Sequence, residues 1–356
     1  MLIHIFEDTP HHYYLMQRFF SQQCNVQNEQ HFWARVPKVK GHDKSFPSAE
    51  FSYYADNQAL VLKLSRLPNN AQIIFHGLVD SRIWLRLLFL SLVKRCSCVI
   101  WGYELYRHAS ESRTVKQHLA QWLHAALLYR LKGVFTLTPG DGQLVRQYLK
   151  RKHTQVMPYP IIGLNLAAVS PYLDEKKNTI RILVGNSAAE SNEHFFAFEQ
   201  LAHLANDNVQ IIVPLNYAGK QHYVDEVITK GKFIFGDKFM PLTQMMVNHD
   251  YDNLLASIDF AVFAHNRQQG LYVAYAMLLL GKRLYMREGT TSAINLKSLG
   301  FRVASLSSLH NTAFSELTRQ KEHIQTTNQT LMEQHFTEQA LAPKWSKLLN
   351  KLFEGS

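Results

Sequence analysis

The most constraining feature of this sequence is an alternation of short apolar segments with helical segments, which occurs in both halves of the chain. The first half contains the apolar segments MLIHIF, QIIFHGL, CVIWGYELY and GVFTLTPGD, and the second contains IRILVG, NVQIIVPLNY, DFAVFAH and RLYMRE. Such alternation is typical of parallel sheets with helices on both faces. The predicted fold class is therefore α/β, with two Rossmann-like, doubly wound parallel-sheet domains.

Four other segments carry specific expectations. SRIWLRLLFLSLVKR has the length and leucine content of one helix, and residues 113–131 have the apolar spacing of a long helix. KFIFGD predicts a short strand. ALVLKL is consistent with either a strand or the end of a helix.

Proline and charge mark the boundary between the two halves. The segment PYPIIGLNLAAVSPYLDEKKN, residues 158–178, contains three prolines and ends in a charged cluster, as linkers do. We predict an N-terminal domain over residues 1–160, a linker over 161–178, a second domain over 179–330, and C-terminal helices over 331–356 that could pack back on the N-terminal domain. Ligands of open parallel sheets sit beyond the carboxyl ends of the strands, which predicts a site in the cleft that both domains face.

Composition favours a folded protein with an anionic partner. Of the 356 residues, 46% are hydrophobic and only 19% are charged, which argues against disorder, and the net charge is +10. The positive charge suggests a nucleic acid, a membrane surface or a phosphorylated small molecule. Nucleic acid is disfavoured because the basic residues are spread out and no nucleic-acid-binding motif occurs.

Targeting and redox signals are weak. The opening MLIHIFEDTPHH lacks the basic region of a signal peptide, and no apolar run reaches the roughly 18–20 residues of a spanning helix. Cys24, Cys96 and Cys98 match no metal-binding or redox spacing. Free thiols in a reducing cytoplasm are the expectation.

The stretch RILVGNSAAESNEHFF predicts an anion-binding turn between a strand and a helix. Gly185 allows close approach of the backbone, and Ser191 has the residue type of an N-cap. Free amides at a helix start, with the side chains of Asn186, Ser187 and Asn192, suit a phosphate or a sugar. An ordinary capped turn would give the same pattern.

Two more strand ends carry polar residues. Arg267 could pair with a diphosphate, and the glutamines beside it could bind a base, a ribose or a sugar. Asn216 and Tyr217 follow another strand. Because the strand ends of one sheet share an edge, these groups are expected near the first turn.

The N-terminal half has its own set of polar strand ends. Asp8, His11 and His12 follow the first strand, His76 follows the next apolar segment, and Glu104 comes after a third. A carboxylate or an imidazole at this edge could act as a general base. With 18 histidines in the chain, chance placement is the alternative.

These motifs resemble those of glycosyltransferase family 56. The matching stretches are GNSAAESNEH, IIVPLNY and NRQQG in the second half, and DTPHH, FHG and IWGYELY in the first, over roughly residues 2–305. The resemblance implies a GT-B fold and transfer of 4-acetamido-4,6-dideoxygalactose (N-acetylfucosamine) from its TDP form. The implied acceptor is a disaccharide on undecaprenyl diphosphate, in synthesis of the enterobacterial common antigen.

The resemblance also implies roles for the motif residues. The donor-binding set is Gly185, Asn186, Ser187, Ser191, Asn192, Glu193, His194, Asn216, Tyr217, Arg267, Gln268, Gln269 and Gly270. The acceptor-side set is His12, His76 and Gly77. Asp8 is the first candidate for the base, followed by His11 and Glu104, and Glu104 stands where the family pattern leads us to expect an aspartate.

GT-B enzymes generally need no metal, so neither a cofactor nor a metal is expected. The usual pair of donor-site glutamates is replaced here by Tyr275 and Arg267, so ribose binding must be arranged differently.

A lipid-linked acceptor implies a peripheral enzyme at the cytoplasmic face of the inner membrane. The segment SRIWLRLLFLSLVKR and the helix near residues 113–132 could each lie on an anionic lipid surface, or each could be a core helix with basic ends. Two functional alternatives stay open. One is a GT-B transferase of another polysaccharide or O-antigen pathway with a different nucleotide sugar, and the other is a sugar-nucleotide-binding protein or epimerase.

Overall fold

A computed structural model describes residues 1–37, 50–109, 114–164, 179–317 and 322–354, together with Leu166 and Val169. The chain divides into two compact units. The N-terminal unit contains Met1–Ile162 and Thr337–Ser356, and the C-terminal unit contains Gly163–Phe336.

Within the described part of the N-terminal unit, seven parallel strands form one sheet in the order β3-β2-β1-β4-β5-β6-β7. The strands are β1 Leu2–Phe6, β2 Gln30–Arg35, β3 Ser52–Tyr54, β4 Gln72–His76, β5 Cys96–Ile100, β6 Gly133–Thr136 and β7 Gln155–Val156. The helices between them are α1 Pro10–Gln22, α2 Asn57–Ser65, α3 Arg82–Leu88, α4 Tyr103–Tyr106, α5 Val115–Arg130 and α6 Pro139–Leu149, and a 3-10 turn spans Ser91–Arg95.

The C-terminal unit repeats the same strand order. Its sheet runs β10-β9-β8-β11-β12-β13, again parallel throughout. The strands are β8 Ile180–Val184, β9 Val209–Pro214, β10 Phe239–Leu242, β11 Phe260–Phe263, β12 Arg283–Met286 and β13 Ala304–Ser305. The helices are α7 His194–Leu201, α8 Gln221–Phe235, α9 Asn248–Ala256, α10 Leu271–Leu279, α11 Thr291–Ser298, α12 Leu306–Leu309, α13 Phe314–Leu317 and α14 Glu322–His335, with 3-10 turns at Glu190–Asn192, Ala202–Leu204 and Gly236–Lys238.

The last helix, α15 (Glu338–Lys351), belongs to the N-terminal unit. Trp345 is its main anchor. This side chain is fully buried, donates from Nε1 to the carbonyl of Pro158 (3.0 Å), and stacks on Tyr159 with ring centroids 5.4 Å apart. The N-terminal unit is therefore built from two separate segments of the chain.

The central strands are apolar because helices cover the sheets. Every residue of β1, β4 and β5 is buried, and so is every residue of β11. Strands buried on both faces read as continuous apolar runs, which is why the sequence shows them clearly. The prediction of α/β parallel sheets is confirmed.

The KFIFGD segment is not a strand, contrary to prediction. It lies mostly within α8, whose buried residues Val224, Val227, Gly231 and Phe235 recur at helical spacing. The helix thus continues through the segment, and the strand β10 starts at Phe239, after a 3-10 turn. A local apolar run of three residues could not show this.

The SRIWLRLLFLSLVKR segment is also not one helix. α3 ends at Leu88, and Leu90 has an extended backbone (φ −78°, ψ 135°) before the 3-10 turn. The ALVLKL segment lies in α2, where the side chain of Asp56 accepts the backbone N–H groups of Gln58 and Ala59 and so starts the helix.

Candidate active site

The loop after β8 makes a tight turn at Gly185. This residue has φ +69°, and its backbone N–H donates to the carbonyl of Val262 on the neighbouring β11 (3.0 Å). A Cβ here would lie 2.7 Å from Oδ1 of Asn192 and 3.2 Å from Nε2 of His194. The turn therefore requires glycine, both for backbone conformation and for space.

The amide group of Asn192 holds this loop in shape. Its Oδ1 accepts the backbone N–H of Asn186 (2.9 Å), and its Nδ2 donates to Oγ of Ser187 (3.1 Å) and to the carbonyl of Ala189 (3.0 Å). Both Asn192 and Ser187 are buried. The sequence predicts that these two residues contact a donor, whereas the geometry assigns them to fixing the path of the loop.

The helix after this loop begins later than expected, so the prediction that Ser191 caps it is wrong. Ser191 lies in the 3-10 turn Glu190–Asn192, and α7 begins at His194. Between them Glu193 adopts a left-handed conformation (φ 54°, ψ 48°), and it offers no side-chain cap. The left-handed residue interrupts the helical conformation between the turn and α7, so Ser191 does not cap the helix. Its side chain bonds a different partner.

That partner is the loop after β11. Oγ of Ser191 donates to Oε1 of Gln269 (2.5 Å) and accepts from Nε of Arg267 (3.1 Å). Gln269 also reaches Oδ1 of Asn186 (3.4 Å), and Nδ2 of Asn266 donates to the carboxylate of Glu193 (2.7 Å). Because β8 and β11 are adjacent in the sheet, their two loops meet, and the structure brings these predicted residues together.

The loop after β9 joins from the other side of β8. The hydroxyl of Tyr217 accepts from Nδ2 of Asn186 (2.9 Å), and burial raises the pKa of this phenol. Nδ2 of Asn216 donates to the carbonyl of Gln244 (3.3 Å), while its Oδ1 is buried and accepts nothing within the described ranges. Three loops from neighbouring strands therefore converge at one edge of the sheet.

Two buried imidazoles lie beneath these loops. Nδ1 of His194 is 3.0 Å from the hydroxyl of Tyr223, and its Nε2 has no hydrogen-bond partner in the described part of the chain. Burial lowers the pKa of His194 to about 4, and burial with the nearby His194 and Arg267 lowers the pKa of His265 to about 3. Both rings are neutral near pH 7, so the positive charge on the loops after β8 and β11 is that of Arg267.

The start of α10 adds a second anion-binding element. Gly270 precedes the helix in a left-handed conformation (φ +66°), and a Cβ there would lie 3.0 Å from both Asn186 and His265. The first amides of a helix have no partner within it and carry partial positive charge. A half-buried arginine beside such a helix start suits a diphosphate.

Gln268, by contrast, is buried with its side-chain oxygen unpartnered among the described residues.

In the N-terminal unit, Asp8 and Glu104 occupy different environments. Asp8 is the second residue after β1 and is half-buried. Glu104 is fully buried in α4, where its Oε1 accepts the backbone N–H groups of Trp101 (3.0 Å) and Leu78 (3.5 Å). Glu104 therefore ties the loops after β4 and β5 together, which favours Asp8 over Glu104 as the base.

The predicted acceptor-side histidines also differ in burial. His76 is fully buried, with Nε2 2.9 Å from Nδ1 of His4 and Nδ1 2.6 Å from the hydroxyl of Tyr159. His12 is half-buried, and its ring meets that of Trp101 edge-on, while the side chain of His11 lies outside the described residues. Gly77 (φ +84°) packs against the Trp101 ring. His76 is thus an interior residue that cannot contact an acceptor as the structure stands.

The described residues contain no group of three or more His, Cys, Asp or Glu side chains placed to hold a metal ion. Cys24, Cys96 and Cys98 are all buried as free thiols.

Comparison with known families identifies the chain. The profile of the 4-alpha-L-fucosyltransferases, glycosyl transferase group 56, matches residues 1–350. The protein belongs to this family. It is a glycosyltransferase, as the motifs at the strand ends predicted.

Solved structures show the same architecture over the whole length of the group 56 chain. HepE from Anabaena, solved with UDP and glucose, has a TM-score of 0.72 at 12% identity, with 99% of this chain and 100% of that chain covered. Sucrose-phosphate synthase from Thermosynechococcus elongatus has a TM-score of 0.71 at 13% identity, with full coverage of both chains. A glycosyltransferase from Rickettsia africae gives 0.71 at 9% identity, covering 100% and 99%. The GT-B fold is therefore confirmed.

The sequence interpretation assigned no role to four residues at or near these two edges. Trp101 and Tyr159 are aromatic residues near strand ends, and His4 and His265 lie in or just after buried strands. The available signal was a polar or amphipathic residue inside an apolar run, as in MLIHIF and FAVFAH. Such residues rarely lie in a core without a specific partner.

The buried state of His194 predicts a loss of stability in acid. Its pKa of about 4 lies below the ordinary value of 6.5, so the unfolded chain binds the proton more tightly. The stabilising contribution is therefore complete above pH 6.5 and is lost as the pH falls toward 4. Between pH 7 and pH 5 we expect His194 to reduce the free energy of unfolding of the C-terminal unit by about 2 kcal/mol.

Urea unfolding at several pH values, followed on wild-type protein and on the variant His194→Asn, measures this effect. The variant should show a shallower dependence on pH. His222→Asn is the matched control, because His222 is exposed on α8. Identical pH profiles for wild type and His194→Asn would contradict the assignment.

Proposed function

We propose that this group 56 enzyme transfers N-acetylfucosamine from a TDP donor to a glycan carried on undecaprenyl diphosphate, in bacterial surface polysaccharide synthesis of the enterobacterial common antigen type. The family description, a fucosyltransferase, supports a deoxyhexose as the transferred sugar. The observation that carries the proposal is the convergence of the β8, β9 and β11 loops beside Arg267 and the start of α10. The alternative is a different nucleotide sugar in another polysaccharide or O-antigen pathway.

The C-terminal unit supplies the groups that a departing nucleoside diphosphate needs. When the bond between the sugar C1 and the diphosphate oxygen breaks, negative charge develops on that oxygen. The guanidinium of Arg267 and the amides at the start of α10 stabilise this charge without a metal. Oγ of Ser191 and Oε1 of Gln269 hold the arginine and its loop in place before the donor binds.

The N-terminal unit supplies the group that activates the acceptor. The acceptor hydroxyl oxygen forms the new bond to C1 and loses its proton, which Asp8 accepts. Asp8 is preferred because it is half-buried at the end of β1, whereas the carboxylate of Glu104 is fully buried against backbone amides.

Loss of Arg267 should weaken binding of the nucleotide. We expect TDP and TDP-N-acetylfucosamine to raise the melting temperature of the wild-type protein more than UDP, GDP or CMP do. In Arg267→Ala, TDP affinity should fall by roughly 10- to 100-fold, as for a lost hydrogen bond between charged groups. Thermal-shift titrations measure this, with the exposed Arg302→Ala as the control.

A preference for UDP or GDP would contradict the TDP donor and favour the alternative pathway. Equal TDP affinity in Arg267→Ala and wild type would remove Arg267 from the donor site.

Replacement of Asp8 should affect the chemical step. In Asp8→Asn, kcat should fall by about 10²- to 10⁴-fold while the affinity for TDP stays unchanged, since the amide cannot accept the proton. Transfer of labelled sugar to a lipid-linked disaccharide gives kcat, and the exposed Glu29→Gln serves as the control. Full turnover by Asp8→Asn would show that another group is the base.

A lipid-linked acceptor requires contact with a membrane, and α5 has a face suited to it. Val115, Leu119, Trp122 and Tyr129 recur on one side of this helix, with exposed fractions of 88%, 56%, 62% and 76%. The opposite side carries the buried His124, Leu127 and Leu128. The helix therefore has a second apolar stripe that its own unit does not cover.

The exposed side of α3 is similar. It presents Leu85 and Phe89 with Arg82 and Arg86, and the guanidinium of Arg130 at the end of α5 donates to the carbonyl of Leu88. Neither helix contains an acidic residue. No helix within the described ranges is both long enough and apolar enough to cross a bilayer.

We propose that these faces of α3 and α5 attach the enzyme peripherally to the anionic cytoplasmic face of the inner membrane. Aromatic and leucine side chains enter the headgroup boundary, while Arg86 and Lys116 contact anionic lipids. The guanidinium of Arg82 is instead paired with Asp80 (2.7 Å). Both candidate segments named from the sequence would then contribute.

Vesicle co-sedimentation tests this surface. We expect wild-type protein to bind vesicles containing phosphatidylglycerol, more weakly at high salt, and not to bind pure phosphatidylcholine. The double variant Phe89→Ser, Trp122→Ser should bind about tenfold less, because two apolar anchors are lost. Phe233→Ser is the control, since Phe233 is 82% exposed on α8 of the other unit. Equal loss in the control, or none in the double variant, would reject these faces.

A further inference from the structure

Trp101 stands at the carboxyl end of β5 with its ring held on several sides. A Cβ at Gly77 would lie 3.3 Å from Cδ2 of the indole, and φ at this residue is +84°, so a side chain here would be strained and would press on the ring. The His12 ring meets the indole edge-on at 5.7 Å and 80°, and the Tyr159 ring does so at 6.3 Å and 89°. The indole itself is half-exposed.

A chain of hydrogen bonds fixes the indole from within the unit. Nε1 of Trp101 lies 3.3 Å from the hydroxyl of Tyr159, which is 2.6 Å from Nδ1 of His76. Nε2 of His76 is 2.9 Å from Nδ1 of His4, and Nε2 of His4 is 3.0 Å from Oε1 of Gln30. Nε2 of Gln30 closes the chain on the carbonyl of Phe20 (3.0 Å).

The two ends of this chain determine the direction of every bond in it. The carbonyl of Phe20 can only accept, so Gln30 donates to it and accepts from Nε2–H of His4. His4, with its proton on Nε2, accepts from His76 at Nδ1, so Nδ1 of His76 accepts from the Tyr159 hydroxyl, and that hydroxyl oxygen accepts from the indole N–H, which can only donate. His76 must then carry its proton on Nε2 and donate to His4. Each imidazole thus has one neutral tautomer.

Burial keeps the chain in this state. It lowers the pKa of His4 to about 3 and lowers that of His76 well below its usual range, with His4 adding to the effect, and it raises the pKa of the Tyr159 phenol. No other arrangement of protons satisfies both ends. The orientation of Trp101 is therefore set before any ligand binds.

The position of Trp101 matches that of a ligand. β1, β4 and β5 are neighbours, and the strand order reverses between β1 and β4. Ligands of such sheets bind beyond the strand ends at this reversal. Asp8, His12, Gly77 and Trp101 all follow these three strands. An aromatic side chain with a fixed orientation loses little conformational entropy when a ligand stacks on it.

We propose that the half-exposed indole of Trp101 is a binding platform for a sugar ring of the acceptor, and that Tyr159 and His76 are positioning residues that orient it. Sugar rings present flat C–H faces that pack on the negative face of an aromatic ring. This inference rests on the proposed transferase function, since it concerns the acceptor of that reaction.

Steady-state kinetics with a short-chain, water-soluble polyprenyl-diphosphate disaccharide tests the proposal. We expect Trp101→Ala to raise the acceptor KM by about 10- to 100-fold with TDP affinity unchanged. Trp101→Phe, which keeps an aromatic face, should raise it less. Tyr159→Phe, which keeps the ring but breaks the chain, should raise the acceptor KM several-fold while kcat stays close to wild type, as expected for a positioning residue. Trp33→Phe, on β2, is the control.

Direct binding gives an independent measurement in case a variant is poorly active. Titration of the same disaccharide should change the tryptophan fluorescence of wild-type protein, and this change should be absent in Trp101→Phe. Circular dichroism confirms that each variant is folded.

An unchanged acceptor KM in Trp101→Ala, or a fluorescence response that survives in Trp101→Phe, would overturn the proposal while leaving the transferase function intact. If wild-type protein binds TDP but transfers sugar to no lipid-linked glycan, the proposed function itself fails. Titration with methyl glycosides then tests whether Trp101 binds a sugar ring. If none of them changes the tryptophan fluorescence, the sugar-binding role of Trp101 is rejected.

Discussion

The parallel pairing of β8 with β11 is the interaction on which the proposed donor site depends. These strands are neighbours in the sheet but lie far apart in the sequence, so the chain crosses over the sheet between them. Their loops leave the same edge, and Ser191 and Gln269 become hydrogen-bond partners although 78 residues separate them. The N-terminal unit repeats the arrangement with β1 and β4, and its polar residues gather at the same reversal of strand order. The same constraint thus gathers a different set of polar residues at one edge of each sheet.

Most of the fold follows from patterns of residues that are close in sequence. Strands such as β4 and β11 are buried on both faces, so their apolar runs identify them. The edge strand β3 and its neighbour β2 do not show this pattern, because SYY and QHFWAR carry polar or exposed residues, and they were missed. The prediction of a strand at KFIFGD was wrong for a different reason. The apolar run of this segment lies on a helix whose buried side includes Phe235 but not the exposed Phe233, and only the spacing back to Val224 reveals this.

The proximity of the candidate residues was predictable, but the orientation of their side chains was not. Polar residues after strands mark the functional edge, and the structure brings the Ser191, Arg267 and Asn186 groups together there. Whether such a residue faces a ligand or the interior depends on partners that sequence spacing cannot show. His76 hydrogen-bonds to Tyr159, which is 83 residues away in the sequence, and Glu104 accepts the amide N–H of Leu78, which is 26 residues away. The same residue types can therefore either face a ligand or make the internal hydrogen bonds that hold the loops together.

The discontinuous N-terminal unit has a consequence for the order of synthesis. Its first segment ends at Ile162, but the helix carrying Trp345 emerges only after the whole C-terminal unit has been made. Trp345 packs on Phe20 with ring centroids 5.1 Å apart and covers Tyr159, so the early segment leaves the ribosome with this part of its core uncovered. Domains usually complete folding from the N-terminus onward during translation. In this chain the second unit has its full sequence first, and the last helix to be synthesised completes the first unit.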